Sequence, residues 1–457
     1  MKLKNITVMM LAAALMSSCG IFKNYERPAD INTDGIYGDA LSGGGASMGD
    51  LNWRDIFTDP QLQQLIETGL RENANMKQAD LRIKEAGYAI KASKLAFLPS
   101  ITFSPDGMLS KIVDYQKGYS KTYGLTLNVG YQQFNPGVVV NAKKQAEVNI
   151  KMMENTKQTI QANLVANIAS LYYTLAQLDE QYELSKQTRE NWRRNVEITK
   201  ALMEAGQSND AGLASTEANY HAISASVVDL EHSIKEVENI LCALIGQVPG
   251  RITRSALDSF KVPSIVETGT EISILGRRPD VRQAEYNLAT AYYTMNQARA
   301  NFYPAISLTG NFEYTNSLGT AIVNPGKLIA AGVASLVQPI FRNGALKAQY
   351  KITQAEVEVA AIAFQQSLLD AGKEVNTAMA AIKASKEKEA LYAKQVAAQE
   401  RAVKATTSLY SGSSINYLQV LTAQTSLLSA QLSQITNKCN QIKYTIELYQ
   451  ALGGGAE

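Results

Sequence analysis

The residues that could carry out chemistry are few in this chain, and they lie far apart. Among 457 residues there are two histidines, His221 and His232, and three cysteines. The histidines lie eleven residues apart in one helical segment, about 16 Å along a helix, which is too far for one metal ion. Cys242 and Cys439 fall in segments with helical apolar periodicity and are interpreted as small core residues. No Ser-His-Asp, Cys-His or paired-carboxylate arrangement is tied to a loop or pocket, so we predict neither an enzyme nor a cofactor or metal site.

The overall charge argues against nucleic acid as a partner. The chain has 44 Lys and Arg residues against 42 Asp and Glu residues, a formal net charge of +2 at pH 7. A protein that binds a polyanion usually carries a clear basic excess. We therefore expect no nucleic-acid partner.

The third cysteine, Cys19, has a context that predicts covalent modification. Lys2 and Lys4 precede an apolar run over residues 6–16, and Ser17-Ser18-Cys19-Gly20 follows. The run is too short to cross a bilayer of about 30 Å as a helix, which is typical of a cleavable export signal. Small residues before a cysteine resemble the bacterial lipobox, in which that cysteine becomes the acylated first residue of the mature chain. We predict a signal peptide at residues 1–18 and a covalent lipid on Cys19; the alternative is an ordinary signal peptide with an incidental cysteine.

The rest of the chain contains one unit twice. Residues 76–103 align without a gap on residues 281–308, and a Gln-Ala-Glu-Val run at residues 145–148 recurs at 354–357. The offset between the copies stays between about 205 and 209 residues, which indicates one duplicated unit. Identical aligned pairs are Gln78/Gln283, Ala79/Ala284, Ala86/Ala291, Tyr88/Tyr293, Phe97/Phe302, Pro99/Pro304 and Ile101/Ile306.

Each copy contains a helix of unusual length. Neither Gly nor Pro occurs between Gly137 and Gly206, and Gly372 is the one exception between Gly344 and Gly412. Each segment would be about 100 Å long as a continuous helix. Apolar residues at three- and four-residue spacing predict long coiled-coil packing.

Each copy also contains two segments with a strand pattern. Apolar and polar residues alternate over residues 125–132, and again over residues 306–314 on either side of Gly310. In an exported chain with no 18-residue apolar span after the signal, alternating strands of about ten residues indicate a membrane β-barrel. A soluble sheet with one wet face is the alternative. Four strands cannot close a barrel, so subunits must share one; two chains would give a filled lumen, and three would leave room for a channel.

The most specific motif follows the connector between the copies. It reads Gly-Arg-Arg-Pro-Asp-Val-Arg-Gln-Ala-Glu at residues 276–285, and it is supported by Trp53-x3-Phe57-x-Asp59-x2-Leu62 and by residues 245–249. With these motifs the whole mature chain resembles the outer-membrane efflux family of TolC-like channels. The resemblance is to the lipid-anchored branch that serves resistance-nodulation-division pumps.

The resemblance implies an architecture and a set of partners. It implies a homotrimer in the outer membrane, with a twelve-stranded barrel and a twelve-helix tunnel in the periplasm. The tunnel would passively conduct substrates from a periplasmic adaptor and an inner-membrane pump, without catalytic residues. The arginine-rich motif would cap a helix at the belt halfway along the tunnel. The motif residues given this structural role are Arg277, Arg278, Pro279, Asp280, Arg282 and Gln283.

The predicted fold class is mostly α with a membrane β part, and the predicted organisation follows the duplication. A lipid-anchored arm occupies 19–60, and an equatorial connector occupies 247–276. The first repeat, 61–246, has strands near 100–134, a long helix at 138–205 and a helix at 213–245. The second repeat, 277–453, has strands near 305–341, a long helix at 345–411 and a helix at 413–452, and a tail of 454–457 follows.

The resemblance also places a gate where the long helices turn back, near residues 206–212 and 412–416. Channels of this family commonly carry aspartates just after the second turn, but this sequence has none there. Acidic residues follow the first turn instead, at Asp210 and Glu217. One interpretation is an acidic ring at Asp210 and, with less support, Glu217, with Gln419 and Thr422 as a neutral constriction. The other is that Asp210 only caps the returning helix.

Two functional alternatives share parts of the pattern. An exported, lipid-anchored coiled-coil adhesin or scaffold would have the long helices and the anchor, but it would not need strands within each repeat. A channel for type I protein secretion would have the same architecture. The sequence does not decide between drugs, metals and proteins as the substrate.

Overall fold

The computed structural model describes residues 23–28, 48–110, 119–257, 277–315, 327–411 and 417–455. The elements of the first copy are a 3₁₀ turn at Met48–Asp50, α1 (Trp53–Ile56), α2 (Pro60–Glu72), α3 (Ala74–Leu95), β1 (Ser100–Ser110), β2 (Ser120–Phe134), α4 (Pro136–Glu204) and α5 (Asp210–Leu244). Those of the second copy are α6 (Pro279–Ala300), β3 (Ala305–Thr315), β4 (Lys327–Val337), α7 (Ala345–Ser411) and α8 (Tyr417–Ala451). The two long helices expected from the sequence are α4, with 69 residues, and α7, with 67.

Local sequence explains where the helices begin and end. Asp59 caps α2 by accepting a hydrogen bond from the Gln61 backbone N–H, and Pro60 occupies the first helical position. Asn73 ends α2, accepts from the N–H groups of Asn75 and Met76 and donates to the Leu244 carbonyl. The same side chain thus stops one helix, starts the next and ties both to the end of α5.

Helices α4 and α5 form the first helical hairpin, and each of them ends at a glycine with a left-handed backbone conformation. Gly206 has φ 74° and follows α4, where Gln207 N–H donates to the Leu202 carbonyl. Gly246, with φ 73°, follows α5, and a Cβ there would lie 2.9 Å from the Glu72 carbonyl oxygen. Both the backbone conformation and the close approach therefore require glycine.

The four strands form one antiparallel sheet in the order β1-β2-β3-β4. Leu125 of β2 pairs with Pro105 of β1 and with Tyr314 of β3, so the central strands join the two copies of the repeat. A bulge interrupts the register between Tyr131 and Phe134, where Gln133 has φ 58°. The two edges of the sheet are β1 and β4.

The chain divides into two compact units, and each unit combines segments from both copies. One unit contains the sheet and comprises Met1–Ile31, Arg82–Glu154 and Gln283–Gln365. The other comprises Asn32–Leu81, Asn155–Arg282 and Gln366–Glu457. The duplicated segments are therefore interleaved in each unit.

The second of these units buries five large aromatic side chains, which come from α1, the residue after it, α4 and α8. The Trp53, Phe57, Tyr172, Tyr173 and Tyr449 side chains are at most 2% exposed. Met48, within the predicted arm of residues 19–60, is also fully buried. Cys242 and Cys439 are buried free thiols, as predicted.

Candidate functional site

The strand register separates polar from apolar side chains on the two faces of the sheet. Leu127 pairs with Phe103 and Phe312, whereas the next residue, Asn128, pairs with Thr102 and Asn311. Successive side chains in a strand point to opposite faces, so each such row of partners lies on a single face. One face has the polar residues Ser100, Thr102, Ser104, Asp106, Thr122, Thr126, Asn128, Ser307, Thr309, Asn311, Glu313 and Ser335, together with Met108, Ala331 and Val333. The opposite face has Ile101, Phe103, Leu109, Leu125, Leu127, Val129, Leu308, Phe312, Tyr314, Ala330 and Leu336, together with Lys121.

Within the segments that the structure describes, nothing covers most of the apolar face. Ile101 and Phe103 are 67% and 63% exposed, and Leu308 and Phe312 are both 48% exposed. A contiguous apolar surface of this kind marks contact with a membrane or another protein. Alternation of an apolar outer face with a polar inner face is the pattern of membrane β-barrel strands.

The sheet is incomplete as a membrane structure. Within the described residues, β1 pairs only with β2 and β4 pairs only with β3. Each edge strand therefore presents unpaired backbone groups, which are not tolerated in lipid. Among the described residues there is also no helix with the length and apolar character needed to cross a bilayer.

Residues 23–28 form an arm that binds to α6. The Arg27 guanidinium donates two hydrogen bonds to the Glu285 carboxylate, at 2.8 and 2.5 Å, and Tyr25 N–H donates to the Tyr293 hydroxyl at 3.3 Å. Burial, and then the nearby Glu285 carboxylate, raise the pKa of Tyr25 to about 12. As the arm proceeds from Tyr25 to Arg27, its partners on α6 go from Tyr293 back to Glu285. The arm therefore runs antiparallel to α6. Cys19 itself lies outside the described residues.

The first hairpin turn contains the predicted acidic residues, and its cap differs from the one expected. Asn209 is the N-cap of α5, and its side chain accepts from the Gly212 N–H at 2.9 Å. Asp210 is the first helical residue, so the interpretation that Asp210 caps this helix is wrong. Its side chain is exposed, as is that of Glu217 two helical turns later.

The predicted neutral residues lie at the start of α8, after the second turn. Gln419 and Thr422 are both exposed, and the Thr422 hydroxyl donates to the Leu418 carbonyl in its own helix. In the part of the chain that the structure describes, no hydrogen bond or ion pair joins them to Asp210 or Glu217. Residues 412–416 of the second turn lie outside the described residues.

The first hairpin (α4 and α5) contacts α8, which belongs to the second hairpin (α7 and α8), near these turns. This contact could not be predicted from the sequence. Trp192 of α4, Ile223 of α5 and Leu421 of α8 form one buried cluster. The Asn195 side-chain amide of α4 also donates to the Gln424 side chain of α8 at 2.9 Å. The first hairpin is therefore fixed to the start of α8, through contacts between residues more than 190 positions apart in sequence.

The arginine-rich motif forms a hub at the start of α6. The Arg278 guanidinium is 6% exposed and donates to the Ala451 carbonyl at 2.8 Å, to Asp280 at 3.0 and 2.6 Å, and to Glu374 at 2.5 Å. Burial alone would raise the pKa of Asp280, but its hydrogen bonds and ion pair with Arg278 hold that pKa below its ordinary value. One buried cation thus joins α6 to α7 and α8.

The other motif residues support a structural role as well. Arg277 forms an ion pair with Asp50, and Arg282 donates to the Gln158 side chain at 3.3 Å. The Pro279 carbonyl accepts from the Asn155 side chain, and Gln283, one turn after Pro279, is partly buried. The motif therefore connects α6 to α4 and to the 3₁₀ turn.

A second arginine hub was missed by sequence reasoning. Arg254, 7% exposed, binds both carboxylate oxygens of Asp179 at 2.5 and 2.6 Å and Glu238 at 2.6 Å. Next to it, Ser255 N–H donates to the Tyr172 hydroxyl, which donates to Asp59 at 2.7 Å. The start of the connector is thus held against α4 and α5. Arg254 lies in a stretch without periodicity, so the sequence contains no signal from which these contacts could be predicted.

No metal centre is found among the described residues, since no three His, Cys, Asp or Glu side chains are grouped closely enough to hold an ion. The polar residues described above bind to one another or face solvent, and none forms a nucleophile–base pair. The described residues therefore offer two features to other molecules, the exposed apolar face of the sheet and the exposed carboxylates near the first turn.

Comparison with known proteins gives a consistent result over both copies of the repeat. The family model described as outer membrane efflux protein matches residues 65–247 and 273–454. The chain is 26% identical over 477 residues to the toluene efflux pump outer membrane protein TtgC of Pseudomonas putida, covering 99% of this chain and 96% of that protein. It is 22% identical to the probable outer membrane lipoprotein SilC of Salmonella typhimurium, covering 100% and 99%. Among solved structures, the open-state MtrE outer membrane channel of Neisseria gonorrhoeae matches with a TM-score of 0.84 and 23% identity, over 96% of this chain and 98% of that one.

Proposed function

Because the chain belongs to the outer membrane efflux protein family, we propose that three copies of it form the outer-membrane exit duct of a tripartite efflux pump. The duct passively conducts substrates delivered by a periplasmic adaptor and an inner-membrane pump. The observation that carries this proposal is the four-stranded sheet, which has one polar and one apolar face and two open edges.

Closing the sheet requires further copies. When β1 of one copy pairs with β4 of the next, every edge is satisfied and the apolar face contacts lipid all round. Two copies give eight strands and a lumen filled by side chains, whereas three give twelve strands and space for a channel. A conducting duct therefore requires at least three copies.

The polar face then lines the lumen and sets the chemistry of conduction. It is rich in serine, threonine and asparagine, and it carries the carboxylates of Asp106 and Glu313 on neighbouring cross-strand rows. Such a lining is hydrated and has no catalytic group. The chain thus supplies a passage, and the energy comes from the pump.

The arm bound to α6 supports a lipid anchor on Cys19. Traced backwards from Tyr25, the arm runs toward the end of α6 that leads into β3. The described arm therefore begins, at Lys23, nearer the sheet-side end of α6 than it ends. A lipid on Cys19 inserts into the same outer membrane as the barrel.

The exposed carboxylates at the first turn support a charged gate. Asn209 already caps α5, so Asp210 has no capping role and its charge is free to face the axis. Three copies would place three Asp210 carboxylates, and further along three Glu217 carboxylates, around the periplasmic mouth. The three carboxylates of such a ring repel one another and attract cations. Gln419 and Thr422 would supply the neutral part of the constriction.

The proposal is tested with the purified full-length protein. We expect a trimer that resists dissociation in detergent until heated, and ion conductance when that trimer is added to planar lipid bilayers. In cells, crosslinking should capture the adaptor and pump with it. A protein that stays monomeric in lipid, or trimers that never conduct, would refute the duct. The adhesin or scaffold alternative would give an anchored protein without conductance.

A further inference from the structure

A recess of about 490 Å³ lies where α8 ends and α6 begins, between the long helices α4 and α7. It belongs entirely to the second of the two compact units. Its lining includes Ala162 of α4, Asp280 of α6, Ala378 of α7 and Ala451 of α8. Because three of these side chains are single methyl groups, the space between the four helices is left unfilled. Small-molecule sites in proteins have volumes of about 300–1,000 Å³, so the recess has room for an organic molecule.

The recess lies on the side of α8 that the N-terminal segment leaves free. Glu447 and Ala451 line it, whereas the Tyr449 hydroxyl donates to the Leu51 carbonyl at 2.8 Å. At 100° per residue, Tyr449 lies about 160° around α8 from Glu447. In the proposed duct the N-terminal segment lies outside the helical wall, because the lumen must stay open. The recess then faces the lumen.

The charges around the recess are negative in excess. The single guanidinium of Arg278 serves two carboxylates, those of Asp280 and Glu374. The Lys373 ammonium is already paired with Asp370 at 2.8 Å. Neither cation is therefore left to neutralise a further carboxylate.

Glu447 is that further carboxylate. It is exposed, and among the described residues its side chain forms no hydrogen bond or ion pair. Desolvation raises the pKa of Glu447, and Lys443, one turn earlier on α8, offsets only part of that rise. A carboxylate without a cation beside it, next to small apolar side chains, is complementary to a positively charged organic molecule.

We propose that the recess binds organic cations in transit, with the positive group beside the Glu447 carboxylate and the apolar body against Ala162, Ala378 and Thr377. The ligand is organic because the recess is far larger than a metal ion. In the described part of the chain, moreover, no three His, Cys, Asp or Glu side chains are grouped closely enough to hold one. The inference rests on the proposed duct and adds a class of substrate for which its wall has an affinity of its own.

Ethidium, a planar organic cation whose fluorescence rises when it leaves water, tests the recess on the purified full-length protein. We expect saturable binding to the wild type. Glu447→Gln should weaken that binding about tenfold or more, since a contact with a charged group is lost, and should keep the heat resistance of the trimer. The matched control is Glu389→Gln, which removes an exposed carboxylate of α7 outside the recess and should leave binding unchanged. Equal weakening in both variants, or no saturable binding to the wild type, would overturn the proposal.

A second variant separates the shape of the recess from its charge. Thr377 is an exposed residue of its lining, so Thr377→Trp should fill the space and abolish ethidium binding, whereas Thr377→Ser should preserve it. Unchanged binding to Thr377→Trp would mean that Glu447 acts as a surface charge only. Displacement of ethidium by a lower concentration of Mg²⁺ would indicate a site for inorganic cations, and either result would overturn the proposal. Trimers that conduct without Glu447-dependent binding would remove this site and leave the duct intact. Binding through Glu447 by a protein that never conducts would refute the duct alone.

Discussion

The sharpest test of the membrane sheet is an arginine placed on either face at the same depth. Leu125 lies on the apolar face and pairs with Pro105 and Tyr314. The next residue, Thr126, lies on the polar face and pairs with Ser104 and Glu313. The two positions share a strand and a depth, so they differ only in the face to which the new side chain points.

The structure sets the expected magnitude. Pro105, the partner of Leu125, is the middle residue of the eleven in β1. Five residues at about 3.4 Å each, tilted by about 40°, place it about 13 Å from the helix end of the strand, which is half of an apolar band of about 25 Å. An arginine facing lipid at that depth costs about 2–4 kcal/mol per chain. With three copies and additive effects, the Leu125→Arg trimer should lose about 6–12 kcal/mol.

The polar face should behave differently. An arginine at position 126 would point into a hydrated lumen, opposite the Glu313 carboxylate, so Thr126→Arg should cost little or gain a cross-strand ion pair of under about 1 kcal/mol. Leu127→Arg, two residues closer to the helices, should cost less than Leu125→Arg, and Asn128→Arg should again be tolerated.

The assay is the fraction of heat-resistant trimer in isolated outer membranes, followed by the denaturant midpoint of trimers reconstituted in lipid vesicles. We expect the order of stability Thr126→Arg above Leu127→Arg above Leu125→Arg. Equal loss from Leu125→Arg and Thr126→Arg would show that neither face contacts lipid. An inverted order would mean that the register is shifted by one residue, since such a shift exchanges the two faces.

The remaining predictions concern the anchor, the gate and the buried hub. Cys19→Ser should abolish fatty-acid labelling while trimers still insert, because barrel burial far exceeds that of one or two lipid chains; undiminished labelling would reject the anchor. Asp210→Asn should weaken cation preference and block by multivalent cations in single-channel recordings without lowering stability, because Asn209 holds the cap; unchanged selectivity would reject the ring. Arg278→Met should lower the free energy of unfolding by about 2–3 kcal/mol, since a buried charged hydrogen bond is lost while the carboxylates of Asp280 and Glu374 keep partial access to water. Because the folded state lowers the pKa of Asp280, ionised Asp280 stabilises the fold above about pH 4, and this contribution is lost as the pH falls through the folded-state pKa. In thermal melts, acid should therefore lower the melting temperature more in the wild type than in Arg278→Met.

Features with local causes could be predicted from the sequence. The cap at Asp59, the proline after it and the break at Asn73 depend on residues within one helical turn, and each is found where the sequence places it. The long helices α4 and α7 follow from the absence of glycine and proline and from apolar spacing. The face assignment of β2 follows from alternation, because strand geometry leaves only two orientations.

Features that depend on distant partners could not be predicted. Arg278 and Glu374 are 96 residues apart, and Arg254 binds Asp179 across 75 residues, with no periodic signal to connect them. The cap at Asn209 was missed for a different reason. Asn209 and Asp210 are both good capping residues, and which of them is the cap depends on the backbone of the turn.

The two copies of the repeat have kept the same elements but not the same side-chain chemistry, and this limits the symmetry of any gate. Asn135 caps α4 and donates to the Ala300 carbonyl, whereas the equivalent junction before α7 turns through Asn343 and Gly344, with φ 51° and 78°. At the turns, Asp210 in the first copy is matched by no acid in the second, where Gln419 is among the exposed residues at the start of α8. In the proposed trimer, three of the six hairpins would carry the Asp210 carboxylate. Charged and neutral hairpins would therefore alternate around the mouth. If the proposed ring forms, its three charges would lie further apart than six would, and we expect it to attract cations with less repulsion opposing closure.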